Sequence, residues 1–115
     1  MAEPLGGGMP MTTALELAGV EITESLGVCY GLVVRSMGFA GSVASSFKAL
    51  RRGEVGQYTE LLEDSRRHAI DRMVENARLV GADAIVAVRF DSSEIGQQLT
   101  EIVAYGAAVK VQPRG

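Results

Sequence analysis

The stretch QYTELLEDSRRHAIDRMVENARLVGADAIVAV, Gln57 to Val88, decides the fold. At 100° per residue, Tyr58, Leu62, Ser65, Ala69, Met73, Ala77 and Val80 share one face of a helix. Glu60, Asp64, Arg67, Asp71, Glu75 and Arg78 collect on the other. Ile70 and Val74 widen the apolar sector on one flank, Leu61 and Leu79 on the other, past the roughly 100° stripe that one sheet covers. Part of the helix is therefore expected to meet a second surface. Gly81 follows the last periodic residue, where a left-handed cap is least strained without a side chain, and the helix should end there. Ala84-Ile85-Val86-Ala87-Val88 is too short and too uniformly apolar for a surface strand, and reads as an interior strand covered on both faces.

Working outward, Ile22 to Val34 is β-prone and should be the first core strand, with Gly27 and Gly31 marking a bulge or a close backbone approach. Ser42 is the expected N-cap of a shorter helix that runs to about Arg52 and buries Val43, Phe47 and Leu50. Lys48, Arg51 and Arg52 then complement the dipole at its last turn. The polar run Asp91 to Gln98 is expected as a long hairpin connection. Ile102 to Val109 is apolar on both faces and reads as a central or interface strand. Residues 1–12 carry Pro4, Gly6-Gly7-Gly8 and Pro10 and read as a flexible leader, disordered or loosely docked. Residues 15–20 read as an edge strand with Gly19 in a turn, and 112–115 as a frayed tail. The expected fold is a small single α+β domain over residues 13–111, an antiparallel or mixed sheet packed by one long and one short helix.

A chain of 115 residues fits one domain. Hydrophobic content of 47% with 22% charged residues excludes disorder. Mean hydropathy of +0.16 is apolar for so small a soluble chain, which points to surface buried between copies of itself. A net charge of −3 with interspersed signs and 5% aromatics argues against nucleic acid as a partner. No apolar run approaches the roughly 20 residues that span a bilayer, so no membrane partner is expected. The lone Cys29 permits no intramolecular disulfide, and no signal-peptide pattern opens the chain, so a cytoplasmic location is expected.

Familiar catalytic signatures are missing: there is no G-x-S-x-G, P-loop, H-E-x-x-H, C-x-x-C or G-x-G-x-x-G, and no enzyme activity is expected. Four residues are candidate metal ligands: Cys29, His68, Asp91 and Glu94. Asp64 and His68, four apart on the helix, could supply two ligands, whereas a closed transition-metal site wants four rich in Cys and His. Asp91, Glu94 and Glu101 frame the hairpin connection with oxygen donors that suit a hard divalent cation. Against these stand a small core thiol at Cys29, a solvated histidine at His68, a solvated acidic loop, and a turn role for Asp83.

Gly56-Gln57-Tyr58, the acidic helix, Gly81-Ala82-Asp83-Ala84-Ile85-Val86, Ile95-Gly96 and Tyr105-Gly106-Ala107-Ala108-Val109 together resemble the YbjQ-like family of small bacterial proteins. The resemblance covers about Thr13 to Val111. It implies an α+β subunit similar to those of dodecins, assembly into homo-oligomeric rings, as pentamers, and a heavy-metal-binding label. The chain departs from the family's Gly-Gly-Arg-Ser-Gly loop, reading Arg52-Gly53-Glu54-Val55-Gly56. The function expected is a non-catalytic, ring-forming protein with any site between subunits. The alternatives are a metal-binding module, with a divalent metal as the cofactor, and a binder of a small molecule or redox ligand.

Overall fold

The computed structural model describes residues 5–36, 55–96 and 99–114. The elements are strand β1 (Val20–Ser36), helix α1 (Val55–Leu79), strand β2 (Ala84–Ile95) and strand β3 (Leu99–Pro113). The strands form one antiparallel sheet in the order β1-β3-β2, so β3 is central, as its apolar character on both faces foretold. The shorter helix expected after Ser42 lies outside the described residues.

α1 packs across one face of the sheet, mainly on β1. Ser65, Ala69, Ile70, Met73, Val74 and Ala77 are its buried positions, and Ser65 satisfies its hydroxyl by donating to the Leu61 carbonyl at 2.8 Å. They meet Cys29, Val88, Ile102, Ala104 and Ala108 from the sheet. Gly31 is where the helix touches down: a Cβ there would overlap the Ala69 carbonyl and the Met73 nitrogen, so only glycine lets the two backbones approach. Gly27 sits at a register shift, the bulge that was one of the two readings open for it. Gly81, at φ 81°, closes α1 with its N–H on Arg78 O at 3.0 Å, while Ala82 N–H reaches Ala77 O at 3.0 Å, a Schellman cap.

Several expectations are corrected. From Leu5 on, the stretch read as a flexible leader is docked: Met9 is in the core, and Gly6 lies against Val74. Arg78 donates to the carbonyls of Gly6 at 3.2 Å and Gly7 at 3.3 Å. Residues 10–14 then run beside β2, exchanging Ile85 N–H to Pro10 O, Thr12 N–H to Ile85 O and Val88 N–H to Thr12 O. Composition hides this because the backbone, which every residue carries, makes most of the contacts. The edge expected at 15–20 is thus supplied by 10–14, although Gly19 does sit in a turn at φ 80°. That segment also explains β2, which is an outer strand of the sheet yet buried at Ala84, Ile85, Val86 and Val88.

β2 continues to Ile95, paired with β3 down to Ile95↔Leu99, so most of the expected polar connection is strand. The tail is not frayed either: Gln112 and Pro113 pair with Glu21 and Val20, and Arg114 donates to Gly19 O at 3.1 Å. On the helix, Ile70 and Val74 are buried in the chain's own core, with Gly6 over Val74, and are not spare surface. The opposite flank is spare, with Leu79 80% exposed, and Leu62 and Val80, expected on the buried face, are exposed as well, because they lie toward the two ends of the helix.

Candidate functional site

Alternation along β1 sends Cys29, Gly31, Val33 and Arg35 toward α1, and Val28, Tyr30, Leu32 and Val34 to the far face of the sheet. Arg35 ends that inward series under the helix. Its Nη2 donates to His68 Nδ1 at 2.6 Å and lies 3.4 Å from Asp64 Oδ2. Because a guanidinium only donates, Nδ1 must accept, which places the imidazole proton on Nε2, 3.9 Å from Asp64 Oδ1. The i,i+4 spacing read from the sequence does bring Asp64 and His68 together. The cation between them is Arg35.

A cleft of about 670 Å³ opens beside this cluster, lined by Leu32, Val34, Arg35, His68, Asp71 and Arg72 among others. Arg35 Nε is buried with no acceptor, and Arg72 has no hydrogen-bond or ion-pair partner among the described residues.

Cys29 is buried on the other side of Gly31 and donates its thiol to Gly106 O at 3.6 Å. Burial pushes its pKa up from the ordinary value, outweighing the hydrogen bonds that lower it, so the thiolate that a metal or an electrophile needs is disfavoured. Asp91 and Glu94 stand exposed on β2, and Glu101 lies across from Ser93 on β3. Asp91 Oδ1 accepts from Ser92 N–H at 2.9 Å. Asp83 is the turn residue expected, donating its N–H to Val109 O at 2.9 Å and accepting Val111 N–H at 3.1 Å. Among the described residues no group of three or more His, Cys, Asp or Glu side chains could hold a metal ion.

The family model described as "Putative heavy-metal-binding" (YbjQ) matches residues 9–112. The chain belongs to the YbjQ family. Within it, a UPF0145 protein of Bradyrhizobium sp. (strain ORS 278) is 48% identical over 105 residues, covering 91% of this chain and 95% of its own. One from Sulfurisphaera tokodaii is 48% identical over 101 residues, covering 88% and 89%. A crystal structure from Pediococcus pentosaceus, of a DUF74-family protein of unknown function, superposes with a TM-score of 0.57 at 15% identity. It covers 91% of this chain and 99% of that one, a likeness of fold. No enzymatic name accompanies these matches, and among the described residues no helix is long and apolar enough to cross a membrane.

The described donors of this YbjQ-family chain do not fit a heavy-metal centre. The soft donor is protonated and buried, and the histidine accepts a hydrogen bond on one nitrogen. Arg35 also repels a cation from the Asp64–His68 pair. Calorimetric titration of tag-free protein with zinc, copper or nickel should therefore give no stoichiometric submicromolar binding. Such binding, abolished by Cys29→Ser or His68→Ala, would contradict this.

Sequence reasoning missed two features. Arg35 was legible only as a polar end to an apolar strand, since nothing local shows that it faces Asp64. The outward series of β1 had a signal in the period-two spacing of Val28, Tyr30, Leu32 and Val34.

Proposed function

We propose that the chain is a non-catalytic subunit of a homo-oligomeric ring, and that any ligand it takes is held between copies. One observation carries the reading. The sheet face away from α1 is apolar and largely uncovered, with Val28 77% and Tyr30 58% exposed and Leu32, Val34 and Tyr105 beside them. Leu17 and Ile22 cover only the far end of that face, around Val86 and Val109. A contiguous patch of this kind is what soluble monomers avoid and what association buries. At about 25 cal/mol per Å², covering it contributes several kcal/mol per interface before association costs. The unpaired, protonated thiol of Cys29 is consistent with a reducing cytoplasm.

Light scattering behind a sizing column should return a multiple of the 12.2 kDa chain, a pentamer being the size the family resemblance implies. Tyr105→Asp, which places a charge mid-patch on the central strand, should shift the protein toward monomer without loss of its circular dichroism. A parent protein that runs as a monomer at micromolar concentration overturns the proposal.

A further inference from the structure

β1 and β2 are the outer strands, and each leaves backbone groups without partners. From Gly27 to Ser36 the register of β1 on β3 is continuous, so every second residue turns its N–H and C=O away from β3. Tyr30 is one of these, because its carbonyl accepts Asn76 Nδ2 at 2.7 Å. Val28, Leu32 and Val34 turn the same way, and among the described residues their outward groups meet no backbone partner. The helix overhangs this edge, since it packs mainly on β1 and barely reaches β2.

Beneath the overhang run three adjoining clefts, of about 330, 380 and 670 Å³, which share Tyr30, Leu32, Arg72 and Asn76 between neighbours. One end is apolar, at Leu26, Val28, Leu79 and Val80. The other carries Arg72, unpartnered among the described residues, and the incompletely bonded Arg35, with Asp71 also on its wall.

The opposite edge of the molecule is complementary. Residues 10–14 cover β2 only as far as Val88, and from Phe90 to Ile95 its outer edge has no backbone partner among the described residues. Phe90, Ser92 and Glu94 pair with Ala104, Ile102 and Thr100 and so lie on the helix side of the sheet. Arg66 of their own helix lies over the Phe90 ring, 5.2 Å from its centroid, yet Phe90 remains 37% exposed; Ser92 and Glu94 are exposed, and Glu94 has no hydrogen-bond or ion-pair partner among the described residues.

We infer that Phe90 to Ile95 of a second copy joins the free edge of β1 beneath the overhanging helix, with Glu94 of that copy answering Arg72 and Arg35. This rests on the self-association proposed above and names the surfaces that perform it. β1 and β2 both run antiparallel to β3, hence parallel to each other, and a single rotation repeated around a ring preserves that sense. The added strand therefore runs parallel to β1 with its helix face on the helix side. Phe90 and Glu94 are about 13 Å apart at about 3.3 Å per residue, the same span as Gly31 to Arg35, which face the helix as they do. Glu94 beside Arg35 thus sets the Phe90 ring beside Gly31, on the helix side of the sheet. Two different surfaces meet, which is the contact that closes into rings, and a long apolar edge open to aggregation is covered.

The test is charge reversal at two exposed positions, read by sedimentation velocity at low and moderate salt. Arg72→Glu and Glu94→Arg should each weaken assembly about tenfold or more, because like charges then face each other. The double variant Arg72→Glu/Glu94→Arg should assemble again, since every contact then brings a reversed charge against its reversed partner, whatever the number of copies in the ring. Single variants that assemble like the parent overturn the inference, and if Tyr105→Asp still dissociates the protein the sheet-face reading survives. Singles that weaken without rescue in the double variant overturn the pairing of Arg72 with Glu94. A monomeric parent overturns both readings.

Discussion

Gly31→Val is expected to leave the chain unfolded, and Gly31→Ala to cost it most of its stability. The added Cβ falls on the Ala69 carbonyl and the Met73 nitrogen, main-chain atoms inside a 25-residue helix that has no flexible end to swing aside. Relief requires moving α1 off β1, which opens the contact holding Ala69, Met73 and Cys29 together. Overpacking against side chains costs about 1–3 kcal/mol, and against backbone the upper figure is a floor. Set beside a total stability of about 5–15 kcal/mol, that is decisive. Urea denaturation followed by circular dichroism measures it. A Gly31→Ala midpoint equal to the parent's would show that the helix does not sit on this strand as described.

Val74→Asp carries the second large effect and acts on folding, not on assembly. Val74 is 1% exposed, and Gly6 of the docked N-terminal segment lies on it. A carboxylate there has no cationic partner in the core, so the cost is about 4 kcal/mol or more. Removing residues 1–11 should act on the same place from the other side. It uncovers Val74, deletes the buried Met9 and takes from Arg78 the Gly6 and Gly7 carbonyls it donates to, for a loss of about 3 kcal/mol, or roughly 10 °C in melting temperature. Thermal melts of the two variants decide the point. A folded but dissociated Val74→Asp protein would place that flank at a subunit interface.

The bulge in β2 shows how the two ends of the chain are coupled. Between Val86 and Arg89 the register on β3 shifts, and Ala87 takes a left-handed conformation at φ 55°. That geometry costs about 1–2 kcal/mol for a residue with a Cβ. It is offset locally: Ala87 N–H reaches Ala14 O at 2.8 Å, and Arg89 donates to Thr13 O at 2.8 Å. The strained residue thus fastens the N-terminal segment to the sheet.

The sequence by itself determined the elements that depend on local periodicity and local sterics. α1 follows from the 3.6-residue spacing of its buried positions, its end from Gly81, and β3 as a central or interface strand from apolar residues on both faces, of which the strand order decides for central. Gly31 was legible as a bulge or a close approach, and the helix backbone above it decides for the approach. For Cys29 and Asp83 the chemically plain readings, a core thiol and a turn carboxylate, match the contacts they make.

What only the tertiary structure decided are matters of who lies opposite whom. Whether Ile70 and Val74 were spare surface depended on a segment some sixty residues away that is rich in Gly and Pro and docks largely through its backbone, which carries no pattern. Whether Asp64 and His68 formed a ligand pair depended on Arg35 arriving from another element with a charge that fills the place. Whether Asp91 to Ile95 was loop or strand depended on a partner strand, because a polar run on an uncovered edge has no buried face to record its period. A residue's own neighbours set its conformation, but the value of an exposed or buried charge is set by the field of groups distant in sequence, and that becomes defined once the chain has closed on itself.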